Sequence, residues 1–469
     1  MDAPADASPR TLDDLPAPTG LPLLGNLLQM DIARLHQVFE AWEAELGSPY
    51  RLRLGPRQAY VSADPELLQT VLRERPERYR RLRQIEDCIA ELGSNGLFSV
   101  EGAAWRPQRR LVMEALNATH FRAFFPTLQA ITARLHRRWS AAAAAGTTVE
   151  MTHDLMRYTV DVTTALAFGE DPNTLETDGG VIQDPLAVVF PRLMARINAP
   201  LPYWRFVKLP VDRRLDRAMA HIHAHVDALI ERARRRMREQ PTEAPRNVLE
   251  AMLRARDQPN SGLDDAAVHA NVLTLLLAGE DTTANTLAWT VYFLAQDAGW
   301  QQRLHDEACA TLGDAPVVRA FEQLRELDLF EAAANEAQRL KPIVPLLFLE
   351  PNVDAVLDGV ALPAGTPMFF VLRPAMLDER HFGRPADYRP DRWLHDHPLG
   401  AHDARAFAQF GAGARVCPGR HLAGVEIRLV LTMLARSFRF TLATDPASIG
   451  EVLAFTMTPS QMPVRLQAR

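Results

Sequence analysis

A chain of 469 residues that is 47% apolar and 23% charged has the balance of a folded globular protein rather than of a disordered one. Its formal net charge of −6 argues against a general nucleic-acid binder. Its three cysteines, Cys88, Cys309 and Cys417, are widely spaced and form no CxxC pair, which excludes a disulfide framework and fits a reducing compartment.

Residues 1–20, MDAPADASPRTLDDLPAPTG, place acids where a secretory signal needs basic residues and lack an apolar run. They are expected to form a flexible N-terminal arm ahead of a single domain over 21–469. The following LPLLGNLLQM is short and broken by Pro22, Gly25 and Asn26, so no membrane anchor is expected, and the chain reads as a cytoplasmic monomer. YRLRLGPRQAYVSADP (50–65) alternates, turns at Gly55-Pro56 and alternates again, the pattern of a hairpin. Helical periodicity dominates from about 65 to 345. Turn residues Gly359 and Pro363 to Gly365 then punctuate a second strand-like region from about 353. Because strand-like segments flank the helical block, the expected fold is mainly α with a smaller β part, one interwoven α+β unit. The basic stretch 232–238 reads as a solvated helix face, and His221 and His225, one turn apart, lack a third ligand nearby.

Four stretches concentrate chemistry. In 271–296 an apolar helix, roughly 39 Å long, is interrupted by AGEDTT. Glu280, Asp281, Thr282 and Thr283 are costly to bury unpaired, and Gly279 removes a side chain, which is read as room for a ligand beside Ala278. An acid beside a hydroxyl there makes Asp281, Thr282 and Glu280 candidates for proton transfer. In ANEAQRLKP, Glu336 and Arg339 stand i,i+3 and can pair. DYRPDRWL is able to bring Arg392 to the same carboxylate. In QFGAGARVCPGRHLAG, Cys417 precedes Pro418 and a helical pattern. A cysteine near a helix N-terminus has its thiolate favoured, and the surrounding glycines allow a close approach to something flat. Taken alone, the loop also allows a buried structural thiol or a nucleophile without an adjacent base.

Together these stretches resemble the cytochrome P450 family. Phe410, Gly413, Arg415, Cys417 and Gly419 fill the places of its FxxGxRxCxG loop. Ala278, Gly279, Glu280, Asp281, Thr282 and Thr283 match its oxygen-activating helix. Glu336 and Arg339 match its ExxR helix, Pro390 to Trp393 its PERF-like segment, and Trp105 with Arg109 its WxxxR helix. The resemblance runs from about residue 15 to the C-terminus. It departs at Leu349, near where the family often carries a propionate-binding arginine, and at Met376 to Asp378 in place of His-Arg-Asp.

The resemblance implies a P450-like fold holding haem b, with Cys417 as the axial iron ligand. It assigns Arg415, Trp105, Arg109, Phe410, Gly413, Gly419, Ala278 and Gly279 to the cofactor, with Arg373 a further propionate candidate. Glu336, Arg339 and Arg392 are assigned a structural role. Ile343, Val344, Leu346, Leu347, Phe455 and Met457, with the segment 80–98, are candidates for a lipophilic pocket. The implied activity is insertion of one atom of O2 into a substrate C–H bond. Its electrons derive from NAD(P)H through a separate ferredoxin or flavodoxin with its reductase, and Arg106, Arg109, Arg110 and Arg420 are candidates for the docking face. A haem-thiolate isomerase or oxidative coupling enzyme, and a non-catalytic haem or ligand binder, stand as alternatives.

Overall fold

The computed structural model describes residues 9–116, 118–177, 183–199, 201–241, 245–259, 261–394 and 401–469. The elements that position the site are strands β1 (Tyr50–Leu54), β2 (Arg57–Ser62) and β3 (Tyr79–Arg81), then helices α1 (Trp105–Ala115), α2 (Met151–Phe168) and α3 (Gln183–Ile197). They continue with α4 (Asp265–Leu294), α5 (Asp328–Leu340), β4 (Leu346–Pro351), β5 (Met368–Val371), α6 (Arg420–Ser437), β6 (Glu451–Leu453) and β7 (Met457–Pro459).

The expected hairpin at 50–65 is β1 and β2, paired antiparallel from Tyr50 opposite Val61 to Leu54 opposite Arg57. It opens a five-stranded sheet of order β1-β2-β5-β4-β3, in which only the β2–β5 pair is parallel. The sheet closes a small core of its own around Tyr60, Leu349, Met368 and Phe370. A much larger core runs from Leu35 to Leu466 and joins helices and strands alike. The chain is therefore mainly helical with a smaller, dispersed β part.

In the stretch 1–20, residues 1–8 lie outside the described residues. Arg10 bridges Val360 and donates its backbone N–H to Gly359 at 2.8 Å, while Leu12 and Leu15 are buried in the sheet core. Leucines spaced three apart give this short segment an apolar face to dock.

Helix α4 is the long helix expected at 271–296, extended at its N-terminus because Asp264 caps it by accepting from Ala267 N at 2.7 Å. Its hydroxyls are accommodated inside apolar surroundings by bonding back one turn. Thr282 donates to Ala278 O (2.9 Å), Thr286 to Thr282 O (2.9 Å) and Thr290 to Thr286 O (2.7 Å). Helix α2 lies close against it, and Thr159 donates to the carbonyl of Glu280 at 2.7 Å. The room expected at Gly279 is taken by α2: a Cβ there would stand 2.6 Å from Thr163 Oγ1. Gly279 thus serves helix–helix approach, which corrects its reading as space for a ligand.

Candidate active site

The cysteine loop is closed by its own backbone, with Cys417 N donating to Phe410 O at 2.9 Å. Gly413 has φ +66°, and a Cβ there would meet Leu72 O at 2.6 Å, so no other residue fits that turn. Gly419 has φ −82°, and a Cβ would lie 3.8 Å from Cys417 Sγ, so its backbone is not under the same demand.

Helix α6 begins at Arg420 with Gly419 as its N-cap. Pro418 lies in the turn before it rather than at the first helical position. The N–H groups of Gly419 and Arg420 still favour the thiolate, as do the charges of Arg109 and Arg420. Burial outweighs them, and the thiol stands above its ordinary value although Cys417 is accessible at the surface of its recess. The lowering expected from the helix N-terminus is present, and burial outweighs it in the free thiol. Coordination to iron would deprotonate this thiol outright.

Arg415 is engaged from inside. Its Nη2 donates to Glu101 at 2.6 Å and to Val100 O at 2.8 Å, and its guanidinium stands 4.7 Å from the centroid of the Trp105 ring. Glu101 also pairs with Arg75 at 3.3 Å and accepts from the backbone N–H of Arg81 at 3.1 Å. Arg81 stacks on Phe98, 3.8 Å from the ring centroid, and donates Nε to Phe98 O at 3.2 Å. Two guanidiniums, those of Arg75 and Arg415, thus share one carboxylate, with the Arg81 guanidinium nearby on Phe98, while neighbouring Arg80 and Arg83 are taken by Glu86 and Glu350. Desolvation, reinforced by mutual repulsion with Arg75, lowers Arg81 to about 9 and Arg415 to about 10 against the pull of Glu101.

In the sequence Arg81 reads only as part of the 80–98 pocket segment, not as a partner for an anionic group. It pairs in register with Leu349 across β3 and β4, so an arginine from the neighbouring strand stands directly opposite Leu349. Arg373 is committed elsewhere: it pairs with Glu40 and with Glu451 (2.7 Å), a hub that also takes His36 and Lys341, and so it is no free propionate partner.

On α4, Ala278 is exposed and Asp281 and Thr282 are partly accessible, although this helix otherwise runs through core. Asp281 accepts from Asn285 Nδ2 at 2.8 Å and from Thr456 Oγ1. Burial raises its carboxyl, and those two donors oppose the rise. Glu280 is set apart from this pair. It is buried, its Oε2 has no partner among the described residues, and desolvation with the adjacent charge of Asp281 pushes it up to about 8. A proton-transfer role for Glu280 has no hydrogen-bonded route among the described residues.

Of the candidate pocket residues, Ile343, Leu346 and Met457 are buried in the large core. Val344, Leu347 and Phe455 stay partly accessible. Phe455 stacks on Phe190 of α3 (5.5 Å) and meets Phe98 edge-on (5.7 Å), an aromatic wall drawn from three distant segments.

The expected structural residues form one closed hub. Glu336 Oε1 accepts from Arg339 Nη2 (2.8 Å), Arg392 Nε (2.8 Å) and Arg389 N (2.9 Å), and Oε2 accepts from Arg339 Nε (2.9 Å) and Trp393 Nε1 (2.9 Å). This pair, which at i,i+3 reads as an ordinary surface bridge, is wholly buried.

An accessible cysteine in a glycine-turned loop, excess positive charge around Arg415 and a long helix with an accessible acid and hydroxyl are features that a haem-thiolate enzyme requires. The model of the family described as Cytochrome P450 matches residues 15–465, and the chain belongs to that family. Similar proteins include pentalenene oxygenase of Streptomyces avermitilis, 28% identical over 97% of both chains. Cyclooctatin synthase of Streptomyces melanosporofaciens is 29% identical over 90% of this chain and 89% of its own. Cyclooctat-9-en-7-ol 5-monooxygenase of the same organism is 28% identical over 90% and 88%. The protein is an oxidoreductase of the monooxygenase type, and its family binds haem.

The residues present fit that group. The Arg75, Arg81 and Arg415 cluster carries two more positive charges than Glu101 neutralises, which suits the two carboxylates of a haem. Nε of Arg75 and of Arg415 has no partner among the described residues. Among the described residues no helix is long and apolar enough to cross a membrane.

Proposed function

We propose that this protein inserts one atom of O2 into a C–H bond of a lipophilic, cyclic terpenoid, using electrons delivered by a separate ferredoxin or flavodoxin. The observation that carries the reading is the Cys417 loop. Cys417 is exposed, two backbone N–H groups and the charges of Arg109 and Arg420 act on its sulfur, and Arg415, two residues before it, belongs to an arginine cluster with unmet charge. The terpenoid class is supported by the names of the similar bacterial proteins and by the aromatic wall of Phe98, Phe190 and Phe455.

Haem b, when bound, supplies the oxygen-activating redox chemistry. Cys417 would hold its iron, and Arg75, Arg81, Arg415 and Arg109 would hold its carboxylates. Asp281 takes a proton at its carboxyl and passes it on. Thr282, whose proton is committed to Ala278 O, presents its two lone pairs as acceptors on the same accessible face. Arg420, exposed just after the cysteine loop, and Arg110, exposed on α1 next in sequence to Arg109, suit an acidic electron donor.

The test is the reduced-CO difference spectrum of the holoprotein. The thiolate-type Soret band should be present and lost in Cys417→Ala; a histidine-type band would overturn the assignment. A panel of cyclic terpenes should then shift the Soret band of the oxidised protein. Turnover under labelled O2 should place one labelled atom in the product. Product without label would turn the reading toward isomerisation or coupling.

A further inference from the structure

We propose that Thr456, on the turn between β6 and β7, is a positioning residue for Asp281 and ties the wall of the substrate pocket to the proton-delivering carboxyl. The inference rests on the role given above to Asp281.

Thr456 is buried and lies 175 positions from Asp281, yet its hydroxyl reaches Oδ2 of that residue. Asn285, one helical turn beyond Asp281, donates Nδ2 to Asp281 Oδ1 at 2.8 Å and to Thr456 Oγ1 at 3.0 Å. The three side chains close a ring that fixes both carboxyl oxygens. The two partners differ in what they can do. An amide N–H only donates, so Asn285 Nδ2 bonds a carboxyl oxygen but cannot accept the proton of the protonated acid. A hydroxyl donates to the carboxylate and accepts from the protonated acid, so Thr456 holds the group through both halves of a proton transfer.

The same turn carries the pocket wall. Phe455, the preceding residue, packs on Phe190 and Phe98. The following residue is pinned on both sides: Met457 N donates to Ile343 O at 2.9 Å, and Met457 O accepts from Trp289 Nε1 at 3.1 Å. With Met457 fixed, a ligand that displaces the Phe455 ring moves Thr456 rather than spreading the strain along β7. Occupancy of the pocket is thereby conveyed to Asp281 across a single peptide unit.

The experiment compares Thr456→Val, which keeps the shape and removes the hydroxyl, with Thr456→Ser, which restores it. The probe is the cyclic terpene giving the largest Soret shift, with a plant-type ferredoxin, its reductase and NADPH as electron source. Thr456→Val should keep haem content, the thiolate-type band and the ligand-induced Soret shift. Product formed per NADPH consumed should fall by roughly tenfold, a part of what a general acid contributes. Released peroxide and the solvent isotope effect on product formation should rise, and Thr456→Ser should reverse all three. Wild-type yield per NADPH in Thr456→Val would overturn the proposal, as would haem content, ligand shift and product falling in proportion, the mark of a merely structural role. Asp281→Asn separates the two levels. If it leaves yield and isotope effect unchanged, the role of Asp281 fails and the inference with it. If it uncouples while Thr456→Val does not, the positioning role alone is wrong.

Discussion

Two buried arginine–glutamate clusters use the same side chains to opposite ends. Around Glu336, the guanidiniums of Arg339 and Arg392 exceed the single carboxylate by one charge. That excess is met by backbone: Arg339 donates to the carbonyls of Met376, Pro385 and Asp387, and Arg392 to those of Gly383 and Arg384. Around Glu101, Arg75, Arg81 and Arg415 exceed the carboxylate by two charges and, among the described residues, donate otherwise only to the carbonyls of Val100 and Phe98. Nε of Arg75 and Arg415 is left without a partner among the described residues, and the guanidiniums of Arg81 and Arg415 are held below their ordinary range by burial and mutual repulsion. A cluster that satisfies itself holds loops together. One that keeps its charge and donors uncommitted is built for an anionic ligand.

The largest effect should come from breaking the closed cluster. Glu336→Ala leaves two guanidiniums buried without their anion and should cost about 3–5 kcal/mol or more. Denaturant unfolding should show this loss with and without haem alike. Arg81→Leu attacks the open cluster instead. It should leave the haem-free protein folded and weaken haem retention by roughly tenfold or more, the scale of one hydrogen bond between charged groups. Haem transfer to an excess of an apo-globin measures it; equal retention would remove Arg81 from the cofactor site. Glu101→Gln sharpens the contrast through its sign. It should destabilise the haem-free protein, by leaving three cations together, while narrowing or reversing that loss once haem is bound. Equal losses in both forms would make Glu101 a second structural hub.

Glu280 and Glu426 test a third arrangement, buried acids without any cation. Burial pushes each up to about 8, helped at Glu280 by Asp281 and opposed at Glu426 by the Thr283 hydroxyl. The folded-state value lies above the ordinary 4.5, so each group takes up a proton on folding. Its contribution is full below about 4.5 and lost as pH rises through 8. Glu280→Gln should therefore match wild type near pH 4 and gain stability over it up to pH 8, by an order of magnitude of a few kcal/mol. A stability difference independent of pH would show that Glu280 is ionised in the fold. The smallest effect is expected at the exposed Arg110. Arg110→Glu should slow reduction by the partner at low salt, with the difference fading as salt rises. Unchanged rates across salt would take Arg110 out of the docking face.

What the sequence determined lies where partners are near along the chain or where backbone geometry admits few residues. Glu336 and Arg339 share a helix turn, and Arg392 follows a proline that ends a loop, so their meeting at one carboxylate was legible. Gly413 at positive φ and the closure of Cys417 N on Phe410 O are local properties of the loop. What only the tertiary structure decided rests on register and on helix approach. Arg81 faces the site because β3 pairs with β4 so that Arg81 opposes Leu349, 268 positions away. Gly279 packs against Thr163 rather than opening a pocket because α2 crosses α4 at that turn. Whether Ile343, Leu346 and Met457 line a cavity or fill a core depends on which surfaces meet them, and apolar side chains read the same in either place. The pinning of Asp281 by Thr456 likewise joins two segments that share no pattern, since hydrogen bonds between distant elements leave no periodicity for a sequence to carry.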